Sequence, residues 1–243
     1  LAAGIPILQG YGATETCIVC ANRPGNNHVG SVGIPFEGIE LRVAEDGEIL
    51  IRGPNVMRGY YGQPEATAAV LKDGWFYTGD VGHMDKDGRL YITDRKKDLF
   101  KLSNGKYVAP QLIESLLKES EFVSQVVVVG AGRKQPAALI VPDWENLNEA
   151  LAADAGAGAN PAAGEKPSSN DREALSKYAP AIKIVQRDIA NLTSSLADYE
   201  RIRRVALLPN EFTIDGGELT PTLKVKRKVI DDRYGPLIDE LYA

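Results

Sequence analysis

Cysteine is scarce in this chain: Cys17 and Cys20 are the only two among 243 residues. Two thiols cannot build a disulfide framework, so the composition suits a reducing, cytoplasmic compartment. Histidine is equally rare, with His28 and His83 alone. Neither stands at metal-ligand spacing from Cys17-Ile18-Val19-Cys20, which argues for a structural use of that C-x-x-C pattern over a zinc or redox one. Long apolar runs are missing too. The longest, residues 126–130, is strand-sized, far short of the roughly 20 residues a membrane-spanning helix needs. No secretory signal pattern is visible. Nor is there a basic excess: 28 Lys and Arg face 33 Asp and Glu, a net charge of -5. That balance argues against non-specific nucleic-acid binding. It leaves room for a nucleotide, which local lysines and backbone amides can hold on an acidic protein.

What is present is an ordinary soluble composition, 44% hydrophobic and 25% charged, with length enough for one or two domains. Residues 1–94 read as short strands and turns. Residues 39–44 alternate, Glu45-Asp46-Gly47 turns, and residues 48–52 alternate again, a hairpin signal. Residues 64–71 read as a short helix opened by Pro64. Residues 75–81 and 89–93 read as strands joined through Asp85-Lys86-Asp87-Gly88. That joint resembles the start of a calcium loop, but the later glutamate ligand is missing and a hairpin turn is the better reading. From residue 95 the character changes. Residues 98–102 are strand-like, 103–106 form a loop, and 110–120 are amphipathic, with Leu112, Ile113, Leu116 and Leu117 on one face. Residues 124–130 and 137–141 look like buried strands, 171–196 like one helix, 205–208 like a strand, and 225–234 and 237–242 like two closing helical pieces. Residues 152–170, rich in Ala, Gly, Pro and Ser, read as a mobile insert. The fold class is therefore α+β (mixed α/β): a β-rich subdomain over 1–94 and a small α+β domain over 95–243.

Four segments could carry chemistry. Gly10-Tyr11-Gly12-Ala13-Thr14-Glu15-Thr16 follows an apolar strand expected at residues 5–8. Glycines flanking an aromatic let the backbone turn sharply and expose a flat ring that could stack on a purine. The hydroxyl and carboxylate after it could reach a phosphate and its Mg2+. A tight turn with a packed tyrosine fits the same residues equally well. Tyr77-Thr78-Gly79-Asp80 would put a carboxylate at a strand end, where it could accept both hydroxyls of a ribose; on this motif alone, a solvated turn aspartate is favoured. Asp94-Arg95-Lys96-Lys97-Asp98 is either a solvated charged face or a hinge. Leu219-Thr220-Pro221-Thr222-Leu223-Lys224 opens a basic cluster, either a surface helix start or a lysine aimed at a developing phosphoryl charge.

Taken in order, with Gly47-Glu48-Ile49-Leu50-Ile51-Arg52-Gly53 and Arg58-Gly59-Tyr60-Tyr61 between them, these segments resemble the ordered motif set of the adenylate-forming (AMP-binding) superfamily. The resemblance runs over nearly the whole chain and is weakest in residues 152–170. The stretch 94–110, the helical insert before Arg201 and the ending Leu-Thr-Pro-Thr-Leu-Lys are most similar to the long-chain fatty acyl-CoA synthetases.

The resemblance implies that Tyr11, beside Gly12, stacks on adenine, Thr14 contacts phosphate and Glu15 holds Mg2+. It implies that Asp80 binds the ribose hydroxyls with help from Arg95, and that Lys97 sits at the hinge. Gly105 would border the pantetheine tunnel after domain rotation, and Lys224 would promote adenylation. The implied reaction activates a fatty acid with ATP and passes the acyl group to CoA. The implied setting is cytoplasmic, with room for peripheral contact on the inner face of the membrane and no indication of oligomeric state. Two departures stand out. Many relatives have Gly before the late lysine, where this chain has Leu223. The family's Ser/Thr/Gly-rich phosphate loop is nowhere in the sequence, and the first residue is Leu1. The expectation is a C-terminal portion that cannot complete adenylation by itself. Two alternatives stay open: an aryl- or aminoacyl-adenylating member of the superfamily, and a non-catalytic nucleotide-binding or interaction module.

Overall fold

The computed structural model describes residues 4–156 and 167–243. The chain divides into two compact units, Leu1–Asp98 and Leu99–Ala243. Arg95, Lys96 and Lys97 thus fall in the first unit, because Arg95 ends a strand that pairs within that unit.

In the first unit, β1 (Gly10–Ala13), β2 (Cys17–Ala21) and β3 (Ile34–Pro35) form an antiparallel sheet in that order. No strand covers residues 5–8, contrary to expectation; Ile5, Ile7 and Leu8 are exposed, and no strand among the described residues pairs with them. A second antiparallel sheet contains β4 (Glu40–Val43), β5 (Glu48–Arg52), β6 (Leu71–Lys72), β7 (Trp75–Met84) and β8 (Leu90–Arg95). Its path is β4-β5-β7, and β6 and β8 share the far edge of β7. The β4–β5 hairpin forms as expected, closed by the Gly47 N–H donating to the Ala44 carbonyl at 2.9 Å; β4 alternates, but residues 48–51 of β5 are all buried, contrary to expectation, because β5 lies between β4 and β7 inside the sheet. Helix α1 (Pro64–Val70) begins with its proline as expected. The core gathers Val19, Cys20, Val32, Ile49, Ile51, Phe76 and Leu90.

The second unit holds a small β9 (Phe100–Lys101)–β10 (Tyr107–Val108) ribbon, α2 (Pro110–Leu117), β11 (Val123–Val129), β12 (Ala137–Pro142), α3 (Trp144–Gly156), α4 (Arg172–Ser176), α5 (Ala179–Leu192), β13 (Val205–Leu207) and α6 (Arg227–Tyr242). Strand β12 is central, antiparallel to β11 and parallel to β13. Both faces of this sheet are covered. Val126, Val128, Ala138 and Ile140 join Ile113, Leu147 and Val185 in one apolar cluster. Val127, Val129, Leu139 and Val141 join Ile230 and Ile238 in another. Burial on both faces explains why these strands read as unbroken apolar runs.

Three helical expectations change. Helix α3 was not foreseen, although Asp143 caps it by accepting from Asn146 N–H at 3.1 Å, and Trp144, Leu147 and Leu151 are buried at helical spacing. It takes residues 152–156 out of the expected mobile insert. Residues 167–170 lead into α4, and 157–166 lie outside the described residues. The single helix expected over 171–196 is two, because Pro180 in the first turn of α5 has no N–H to continue a preceding helix. The two closing pieces are one helix that carries Pro236 inside it; Ile230 and Ile238, buried on either side, hold it to the core. No helix among the described residues is long and apolar enough to cross a membrane.

Candidate functional site

Tyr11 sits on β1 where the pairing with β2 slips: Tyr11 opposes Cys20 but Gly12 opposes Ile18. The slip brings two backbones close. A Cβ on Gly12 would lie 2.1 Å from the Cys17 carbonyl oxygen, so only glycine fits. The chain then turns through Thr14, Glu15 and Thr16, closed by Thr16 N–H donating to Ala13 O at 3.1 Å. Thr14 is exposed on this turn, whereas Thr16 is buried beneath it.

Asp80 was expected at a strand end. It lies inside β7 instead, at a second register slip. Glu48 of β5 opposes Val81, but Leu50 opposes Tyr77, so extra residues of β7 bulge out between them. Gly79 permits this with φ 70°. Thr78 Oγ1 donates to Ile49 O at 2.8 Å and accepts from Asp80 N–H at 3.0 Å. The bulge turns Asp80 toward β1. Tyr11 OH donates to Asp80 Oδ2 at 2.6 Å, and Arg95 Nε lies 3.0 Å from Asp80 Oδ1. Three residues chosen from separate motifs therefore meet. Burial, and next the hydrogen bond to Asp80, pushes the Tyr11 phenol well above its ordinary range.

The loop after β5 braces the Thr14–Thr16 turn at three points. Asn55 Nδ2 donates to Thr16 O at 2.6 Å, Met57 N–H to Glu15 O at 2.7 Å, and Tyr60 OH to Glu15 Oε1 at 2.8 Å. The Tyr60 phenol is raised, first by that hydrogen bond. Among the described residues no three His, Cys, Asp or Glu side chains cluster as an all-protein metal cage. A single braced carboxylate fits Mg2+, which takes most of its ligands from phosphates and water. Tyr11, Gly12, Thr14, Glu15 and Arg95 line one open cleft of about 680 Å3 in this unit.

In the second unit, Lys224 closes a tight loop. Leu219 and Val225 bridge across it, Leu223 N–H donates to Thr220 O at 2.8 Å, and Lys224 N–H donates to Thr220 Oγ1 at 3.0 Å. Leu223 has φ 59°, the left-handed region that favours glycine. The backbone thus keeps a glycine's geometry with a leucine in place, and the leucine is 69% exposed. Lys224 is exposed, and no ion pair of its ammonium is found among the described residues. Behind the loop, Arg227 makes a two-pronged bond to Glu114 at 2.9 and 3.1 Å and donates to Val128 O. Gly105 lies exposed in the turn joining β9 to β10, its N–H donating to Leu102 O at 2.9 Å. Lys97 is exposed on the turn after β8.

Sequence reasoning passed over two side chains that organise the first unit, Glu48 and Tyr60. Both lie in quoted motifs, but their partners are distant in sequence and no local pattern marks them. Cys17 is exposed and Cys20 buried, both as free thiols, and burial pushes Cys20 up to about 11. Asp85 accepts from Asp87 N–H and Arg89 N–H, a hairpin turn.

Residues 1–61 match the family described as AMP-binding enzyme, and residues 97–157 match the AMP-binding enzyme C-terminal domain. The chain belongs to this adenylate-forming, AMP-binding superfamily. Within it, the relatives include long-chain fatty-acid–CoA ligases. The chain is 40% identical to Long-chain-fatty-acid–CoA ligase FadD15 of Mycobacterium bovis over 99% of its own length and 38% of that protein. It is 36% identical to human Long-chain-fatty-acid–CoA ligase 1 over 100% of its length and 35% of that protein. It therefore spans little more than a third of these curated relatives. Among solved structures, o-succinylbenzoate CoA synthetase (MenE) of Bacillus subtilis in complex with AMP aligns with a TM-score of 0.63 and 27% identity, covering 93% of this chain and 40% of that one. The adenylation domain of a carboxylate reductase from Mycobacterium chelonae aligns with a TM-score of 0.69 and 26% identity, covering 97% and 34%.

Proposed function

We propose that the protein containing this chain is a long-chain fatty acid–CoA ligase of the AMP-forming kind. The meeting of Tyr11, Asp80 and Arg95 beside the Thr14–Glu15 turn carries the reading. In the first step a fatty-acid carboxylate oxygen attacks the α-phosphorus of ATP. The bond to the β-phosphate oxygen breaks, and pyrophosphate leaves with the electron pair. In the second, the CoA sulfur attacks the acyl carbon, the bond to AMP breaks, and the thiol proton passes to solvent.

Tyr11 lies against adenine, with Gly12 leaving room for the approach. Asp80 accepts the ribose hydroxyls, giving up its bond to the Tyr11 phenol, and Arg95 orients it. Thr14 donates to phosphate. Mg2+, held through Glu15, would neutralise phosphate charge. Lys224 supplies a cation to the first step, and the Gly105 turn serves the second, with Lys97 as the hinge between the two states. The protein is cytoplasmic in this reading, with peripheral contact at the inner face of the membrane.

The test is pyrophosphate exchange into ATP by the full-length protein with palmitate. Lys224→Ala should lower the rate about 10²- to 10³-fold, the usual effect of removing one group that stabilises developing charge. Asp80→Asn should chiefly raise KM for ATP. The present chain alone should give background exchange, since it carries no phosphate loop; clear turnover would overturn that part. A second reading, an aryl-acid ligase, draws on solved relatives such as the o-succinylbenzoate synthetase. Preference of the full-length protein for benzoate-type acids over palmitate would favour it.

A further inference from the structure

Glu48 is a buried carboxylate that the proposed chemistry does not use. Its side chain is only 7% exposed. One oxygen, Oε1, accepts from Gly79 N–H at 2.9 Å; the other, Oε2, accepts from Lys96 Nζ at 2.7 Å. These two partners flank the Asp80–Arg95 pair: Gly79 precedes Asp80, and Lys96 follows Arg95. Lys96 closes the loop by donating its own N–H to Gly79 O at 2.7 Å, while its ammonium also meets Asp46 at 2.7 Å. One carboxylate therefore ties the bulge of β7 to the end of β8. These are the two backbone segments that set the distance between the Asp80 carboxylate and the Arg95 guanidinium. A backbone bulge without such a tie has unpaired groups and freedom to slip register. A charge-assisted bond from a buried carboxylate is among the stronger ways to hold one.

We infer that Glu48 is a positioning residue for nucleotide binding, which fixes the β7 bulge and the Lys96 backbone so that Asp80 and Arg95 present a preformed ribose grip. This rests on the reading of Asp80 and Arg95 as ribose ligands. Glu48 touches no substrate. Its removal should weaken recognition of the ribose hydroxyls in particular, not nucleotide binding in general.

The experiment compares ATP with 2′,3′-dideoxy-ATP in the full-length protein, measuring KM for each in the wild type, Glu48→Gln and Lys96→Gln. The wild type should prefer ATP. In Glu48→Gln the amide can still accept from Gly79 N–H but no longer neutralises Lys96, and the preference should narrow roughly tenfold, the scale of losing one charged hydrogen bond. Lys96→Gln leaves the Glu48 carboxylate buried without its cation, so it is the more destabilising of the two variants, and where folded it should narrow the ratio in the same direction. A purely structural role would raise both KM values equally. The inference is overturned if the folded variants keep the wild-type ratio. A wild type with no preference between the two nucleotides overturns the ribose reading itself, and this inference with it.

Discussion

In the first unit, Asp80 is 6% exposed and each of its oxygens has a partner; in the second unit, Lys224 stands exposed on a loop whose preceding residue holds a conformation that suits glycine. The first arrangement is built to keep a shape. Tyr11, Asp80 and Arg95 brace one another, Glu48 fixes the backbone behind them, and Tyr60 fixes Glu15. The second is built to leave a charge available. Its loop is well tied at the base, through Glu114 and Arg227, while the ammonium projects without an ion pair among the described residues. In the proposed reaction the two arrangements would serve different tasks: holding a nucleotide in register, and supplying a cation at the moment charge develops.

The contrast can be broken first by adding one carbon. Gly12→Ala would put a Cβ against the Cys17 carbonyl, and neither backbone can give way cheaply. It should destabilise the first unit by about 3 kcal/mol, the upper range for overpacking, read from urea melts of the chain. Asp80→Asn should cost about 2 kcal/mol in the same melts, because the Arg95 charge loses its partner and the buried phenol keeps only a weaker acceptor. Alkaline titration gives a third contrast. The Tyr11 phenol is held above its ordinary 10.0 by burial and then by Asp80. A raised folded value means its contribution is complete below the ordinary 10.0 of the unfolded chain and is lost as pH rises from there toward the folded value. Above about pH 10 the wild type should therefore lose stability more steeply than Tyr11→Phe does. In the second region the sign reverses. Leu223→Gly removes a left-handed leucine and should stabilise by roughly 0.5–1 kcal/mol, the strain relieved less the added freedom of the unfolded glycine.

Parts of this were legible in sequence for local reasons. The β4–β5 hairpin shows in the alternation of β4 and a Glu-Asp-Gly turn, and α2 in its apolar face. Tyr11, Asp80 and Arg95 were reachable as separate motif residues, and the superfamily resemblance supplied their order. What escaped depends on long-range pairing. Asp80 reads as a strand end because its bulge exists only when β5 pairs out of step with β7. Glu48 goes unmarked because alternation cannot reveal a partner at Lys96, 48 positions away. Helix α3 was missed although Asp143 and the Trp144, Leu147, Leu151 spacing were visible, because the alanine- and glycine-rich stretch that follows drew the segment into a loop reading. Pro236 suggested a break that buried neighbours on both sides override.

Holding the nucleotide and delivering the cation should be separable, and one paired measurement tests this. In the full-length protein, AMP affinity by calorimetry and pyrophosphate-exchange rate should be compared for Asp80→Asn and Lys224→Ala. Asp80→Asn should weaken AMP binding, whereas Lys224→Ala should bind AMP as the wild type does and lose exchange. Wild-type AMP affinity in Asp80→Asn, or undiminished exchange in Lys224→Ala, would contradict the account.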